Sequence, residues 1–167
     1  MAELLVLVDV VCTNSRFPAL FSPDKSCLQE QMLALLQVGR AHTVITTLGA
    51  QGSVLLRRKS DDGTSISPEV EALIPEGILS HTEWTSPDGQ ESFDIWRCKA
   101  WTPCSIQDPT GAGDAFIAGV IHGILARLPP PQWLLLGSKI ASDKLALAGA
   151  RAGIPRKDEL PAALLCP

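Results

Sequence analysis

The stretch DPTGAGDAFIAG, residues 108–119, sets the small residues Gly111, Ala112 and Gly113 between two carboxylates, Asp108 and Asp114, and then continues as an apolar run. The first N–H groups of a helix have no intrahelical acceptor, and the peptide dipoles concentrate partial positive charge there. An anion is the natural guest, phosphate above all, and glycines let it approach the backbone. Pro109 pre-sets the entry turn. Asp114, in the first helical turn, would repel a phosphate unless it has a task. A hydroxyl nucleophile supplies one: the carboxylate takes its proton while the bare N–H groups stabilise charge on the transferred oxygens. The plainer alternative stays open, in which Asp114 is a favourable partner of the helix dipole and the turn only a turn.

Downstream, Phe116, Val120, Ile121, Ile124 and Leu125 predict a helix from Gly113 to about Leu128, apolar nearly all round and hence central. Pro129, Pro130 and Pro131 break it, a further helix runs from Trp133 to Ala150, and the tail from Ile154 to Pro167 reads as a turn and a short helix. Upstream, Leu4 to Cys12 is a continuous apolar run expected to be a strand covered on both faces. Leu28, Met32, Leu35 and Leu36 recur at helical spacing between Cys27 and Val38, with Gly39 as a stop. His42 to Leu48 is a β-branched strand, GAQG a turn, and Ser53 to Arg57 another strand. These predict a parallel βαβ unit with a hairpin appended. Lys59 to Gly77 reads as an excursion, and Thr82 to Pro103 as short strands around the PDG turn, one of them ending at Ile106.

Composition bounds the rest. The 167 residues are 46% hydrophobic and 19% charged with a net charge of −4, which fits one folded unit and gives no basic surface for nucleic acid. Arg57, Arg58 and Lys59 read as a solvated strand end. No apolar run is long enough for a membrane helix. Five cysteines without a CxxC pair, Cys12, Cys27, Cys98, Cys104 and Cys166, suit a reduced, cytoplasmic chain. His42, His81 and His122 are scattered; Trp84, Trp96 and Trp101 serve as packing or as a sugar platform; Lys144 lies on a solvated face or approaches a nucleotide. There is no GxxxxGK[ST], so a P-loop is excluded.

DPTGAGDAFIAG closely resembles the C-terminal signature of the ribokinase or PfkB family of carbohydrate and nucleoside kinases. TLGAQG, Thr47 to Gly52, resembles the family's nucleotide-binding turn and precedes GAGD in the expected order. ARAGIP, Ala150 to Pro155, resembles the segment that closes the adenine pocket, and SKIASDKLALAG is also loosely like ketohexokinase. The resemblance implies a ribokinase-like three-layer α/β sandwich with a mostly parallel central sheet, in which ATP with Mg²⁺ phosphorylates a sugar or related alcohol. It implies Asp114 as general base, Gly111, Ala112 and Gly113 as anion hole, and Thr47, Gly49 and Gly52 as ATP-binding residues. Asp108 and Thr110 fall where many members hold a monovalent cation, which implies K⁺.

The family's NxxE motif appears as Asn14-Ser15-Arg16-Phe17, with Phe17 in the Glu position. A complete member is roughly twice as long, so the chain resembles the C-terminal part alone, lacking the sugar-binding and lid part. An exposed sheet edge then makes a homo-oligomer an open outcome. A second reading stands beside the kinase: a truncated, non-catalytic nucleotide-binding or interaction protein that keeps the fold.

Overall fold

The structure, a computed structural model, describes residues 2–59, 65–103 and 105–166. Cys104 and part of the Lys59–Gly77 excursion lie outside them. Two units are distinguished. Among the described residues the first comprises 2–49, 53–59 and 80–97, and the second 50–52, 65–79, 98–103 and 105–166.

The first unit is built on a five-stranded sheet of order β1-β2-β3-β5-β4, with β1 Val10–Asn14, β2 Thr43–Thr47, β3 Ser53–Arg58, β4 Leu79–Thr85 and β5 Ser92–Cys98. β1 and β2 are parallel, with Val10 opposite Thr43, and helix α3 (Leu28–Val38) lies between them in sequence. β2 and β3 are antiparallel, with Thr47 opposite Ser53. The expected βαβ unit with its hairpin is therefore present, and the described pairings make the sheet mixed. Successive side chains of a strand face opposite ways. Val11, Val44, Val54, Leu56, Phe93 and Ile95 share one core with Met32, Leu33, Leu35 and Leu36 of α3.

The apolar N-terminal run departs from expectation. It forms a short helix, α1 (Ala2–Leu5), and β1 starts only at Val10. The cause is the partner strand: β2 begins at Thr43, so residues before Val10 have no ladder to join. Leu5 is buried, while Leu4, Val6, Leu7 and Val8 are exposed rather than covered on both faces. Asp9 is fixed at the strand entry by Arg40, 2.8 Å away, and its carbonyl accepts the His42 N–H.

Asn14, the Asn of the NxxE-like stretch, accepts the N–H groups of Arg16 and Phe17 at 3.0 and 3.1 Å, so it caps helix α2 (Arg16–Phe21). Phe17 stacks on Phe21. The basic strand end is also paired rather than merely solvated: Arg58 meets Glu91 and lies over the Phe93 ring, and Lys59 meets Glu83 at 2.7 Å.

The second unit contains α4 (Pro68–Leu73), α5 (Ala112–Leu125), α6 (Pro130–Lys144) and two 3₁₀ turns, Lys157–Glu159 and Ala162–Leu164. Ile106 is exposed and outside any strand. Pro130 and Pro131 open α6 instead of only ending α5, since the first turn needs no N–H from them. The helix stops at Lys144 rather than Ala150, because the chain beyond turns through Gly149 and Gly153, both at positive φ. Nor is α5 covered all round. Ile121 and Leu125 are exposed, and it is α6 that is buried from Pro130 to Ser138. The two helices touch through glycine: a Cβ on Gly119 would lie 2.7 Å from the Gly137 Cα. The Trp133 indole fits against Gly123 and donates to the Leu128 carbonyl at 2.7 Å.

Candidate active site at the start of α5

The chain enters α5 through a turn in which each residue type has a local reason. Asp108 Oδ1 accepts the Thr110 N–H at 2.9 Å, a self-contained Asx turn. The Ala112 N–H donates to the Pro109 carbonyl at 3.1 Å. Gly111 then takes φ 81° and ψ 0°, left-handed values that disfavour a side chain. A Cβ there would also lie 2.6 Å from the Ala150 carbonyl oxygen. Glycine is thus required at 111 on two counts. Gly113 is different: it is exposed, and a Cβ on it would meet nothing within 4 Å. The Asp114 side chain is exposed in the first turn of the helix.

A second layer holds this turn against the segment after α6. Asp108 Oδ2 accepts the Gly149 N–H at 2.7 Å, and the Gln107 N–H donates to the Leu145 carbonyl at 2.8 Å. Lys144, fully buried rather than on a solvated face, donates from Nζ to the carbonyls of Asp108 at 2.7 Å and Leu147 at 3.3 Å. The Thr110 hydroxyl, then the N–H groups of Gly149 and Thr110, with help from the Lys144 charge, hold the Asp108 carboxyl down at about 2. Asp108 is a tether, and ionised across the ordinary pH range.

Gly111, Ala112, Gly113, Asp114, Asp108 and Thr110 therefore come together, with the Ala112 N–H already used inside the turn. Gly52 belongs to the same unit; Thr47 and Gly49 belong to the other. Gly49 has φ 60° and open space where a Cβ would stand. Gly52 has φ 92° and its Cβ position is taken by the backbone near Ala100, 2.7 Å away. The Thr47 hydroxyl donates to the Thr13 carbonyl at 3.3 Å, tying β2 to β1.

The residues fit a polyphosphate at this turn, given the open Gly113 and the free end of α5. They do not fit the implied K⁺. An alkali ion needs several oxygens at once in place of its water. The Asp108 carbonyl is taken by the Lys144 ammonium, and both carboxylate oxygens of Asp108 are taken by N–H groups. Among the described residues there is no group of three or more His, Cys, Asp or Glu side chains that could hold a metal ion.

One cluster escaped the sequence reading. His81 Nε2 lies 2.8 Å from Oδ1 of the buried Asp94, and its ring stacks on Trp96 at 4.2 Å. The signal was available as two alternating pairs, His81 with Glu83 and Asp94 with Trp96, but which strands pair is not written locally. Trp84 packs on Phe93, and the Trp101 N–H donates to Ser138.

Comparison with known proteins bears on this turn directly. Residues 95–157 match the sequence profile described as pfkB family carbohydrate kinase. That stretch contains Asp108, the glycine turn, Asp114, Lys144 and Gly149 together. No curated protein sequence matches the chain. Among solved structures, the Arabidopsis thaliana ribokinase complexed with ribose and ATP superposes with a TM-score of 0.71 at 16% identity, over 98% of this chain and 43% of that one. A Burkholderia thailandensis nucleoside kinase in complex with inosine gives 0.64 at 19% identity, over 97% and 41%. A Thermotoga maritima ribokinase gives 0.65 at 17%, over 98% and 44%. These likenesses establish the ribokinase-like α/β fold around the pfkB stretch, and the chain spans less than half the length of the structures it matches. Among the described residues no helix is long and apolar enough to cross a membrane.

Proposed function

We propose that this chain supplies the phosphate-binding turn and the general base of an ATP-dependent phosphotransferase acting on a sugar or related alcohol hydroxyl. The observation that carries the proposal is the left-handed Gly111, packed on Ala150, delivering an exposed Gly113 and Asp114 into the first turn of a 14-residue helix. The N–H groups of Gly111 and Gly113 bind the terminal phosphoryl oxygens, where the helix dipole favours added negative charge. Asp114 accepts the acceptor hydroxyl's proton as that oxygen attacks the γ-phosphorus. The bond to the β,γ-bridging oxygen breaks and ADP leaves. Bound with the nucleotide, Mg²⁺ would supply charge neutralisation of its phosphates.

A sugar acceptor is supported by the family of residues 95–157, and ATP by the relatives whose complexes contain it. The exposed Asp114 also argues for the kinase over a non-catalytic binding module. A module that only bound phosphate would be helped by an uncharged residue there.

The test is calorimetric titration with Mg²⁺-ATP of the wild type and Asp114→Ala. The expected result is binding by both, equal or tighter in the variant because a repelling carboxylate is gone. In a chain that phosphorylates an acceptor, the same substitution lowers the rate by about 10²- to 10⁴-fold. Loss of ATP binding on removing Asp114 would refute its role as a base facing the phosphate.

A further inference from the structure

We propose that the Lys144 ammonium is a built-in substitute for a monovalent cation, so that the turn before α5 is held in place independently of K⁺ or Na⁺. Lys144 is the last residue of α6, where a positive charge is favoured by the helix dipole, and its side chain is fully buried. A buried ammonium persists only with acceptors around it. Here two of them are main-chain carbonyls from two segments, Asp108 O at 2.7 Å and Leu147 O at 3.3 Å. The nearest acid of its own helix, Asp143, is engaged by Lys139 at 2.5 and 2.6 Å. Lys144 therefore acts on the carbonyls.

The geometry around it is complementary. Gly153, at φ 81°, passes so close to the end of α6 that a Cβ there would lie 2.9 Å from the Lys144 carbonyl oxygen. Asp108 spans the same two segments from the other side, through Thr110 and Gly149. One positive charge, one carboxylate and two carbonyls thus perform the cross-linking that a coordinated alkali ion would otherwise perform. Lys144 is a positioning residue: it touches the backbone of Asp108, from which the turn to Gly111 starts, and not the reacting atoms.

The consequence for nucleotide affinity rests on the reading of the turn as a phosphate site, whereas the consequence for stability does not. The experiment melts the wild-type chain and Lys144→Met in KCl, NaCl and tetramethylammonium chloride at equal ionic strength, and titrates each with Mg²⁺-ATP. The wild type is expected to show the same Tm and the same ATP affinity in all three salts. Lys144→Met keeps the apolar stem but leaves the part-buried carbonyls of Asp108 and Leu147 without their charged donor, so its Tm falls by roughly 5–15 °C. Lys144→Ala opens the ammonium's space, and KCl, but not tetramethylammonium, restores part of its loss. A restoration specific to a small cation would not follow from simple loss of packing. A wild type that melts higher in KCl than in tetramethylammonium chloride overturns the proposal whether or not the variants fold. A Lys144→Met that melts like the wild type overturns it as well. If the wild-type Tm is salt-invariant and ATP fails to bind in every salt, the phosphate-site reading falls while the substitution of lysine for cation is supported.

Discussion

Replacing Gly113 by alanine separates binding from folding in the proposed site. Gly113 is the second residue of α5, at an ordinary φ, and a Cβ on it projects into open space. Alanine there removes the backbone entropy penalty of glycine, which is about 0.5–1 kcal/mol in a helix interior. For a chain of this size that raises Tm by about 1–4 °C. The same methyl occupies the space through which a phosphate reaches the first-turn N–H groups. Losing one hydrogen bond to a charged group costs about 1.5–3 kcal/mol, or roughly 10- to 150-fold in affinity. The assay is a thermal melt paired with Mg²⁺-ATP calorimetry on one preparation. Gly111→Ala provides the contrast, because φ 81° and the Ala150 carbonyl 2.6 Å from its Cβ make it lose stability and binding together. Unchanged ATP affinity in a well-folded Gly113→Ala protein would refute the anion-site assignment.

Two further outcomes follow from groups in the same structure. Asp108 has a folded pKa of about 2, below its ordinary 3.8, so its tether stabilises the fold fully above about pH 4 and is lost as pH falls toward 2; Asp108→Asn should flatten that part of an acid-unfolding curve followed by circular dichroism, and an unchanged curve would remove the tether. Burial pushes the Cys98 thiol up to about 12 and the Cys12 thiol up to about 11, whereas Cys166 is exposed, so a thiol reagent at pH 8 should label Cys166 rapidly and reach Cys98 and Cys12 only after denaturation, as peptide mass mapping would reveal.

What could be read from sequence followed from local rules. The β-branched run at Thr43–Thr47, the helical spacing of Leu28–Val38 and the glycine turn before α5 each carry their own signal, and each forms close to where that signal stands. The misreadings arose where a partner decides. Leu4 to Val8 has strand composition, but pairing begins at Val10. Whether an apolar helix is covered depends on its neighbours, so the apolar α5 leaves Leu125 exposed while α6, including its polar Gln132, Ser138, Ser142 and Lys144, is buried over most of its length. Lys144 illustrates the limit at the site itself. Its buried state depends on carbonyls of Asp108, 36 residues away, and Leu147, neither of which has a side-chain signature. Asn14 was legible as a motif residue but not as the cap of α2, since a cap is defined by the helix that follows it.

The proposed role of Asp114 as a base makes demands on α5 beyond the glycine turn. A general base is effective only when its position is held by rigid surroundings. Asp114 is five residues before Gly119, about 7.5 Å along the helix axis, and Gly119 sits directly on the Gly137 backbone. A turn later Gly123 receives the Trp133 ring. These contacts restrict the translation and rotation of α5: at Gly119 backbone meets backbone with no side chain to adjust, and at Gly123 the Trp133 ring is itself tied to the Leu128 carbonyl. At the other end Asp108 and Lys144 fix the turn. Asp114 is thus held from behind by helix packing and from in front by a charged tether. Nucleotide binding would then pay little ordering entropy at this turn, and that economy is what the left-handed glycine, the buried lysine and the two close-packed glycines jointly provide.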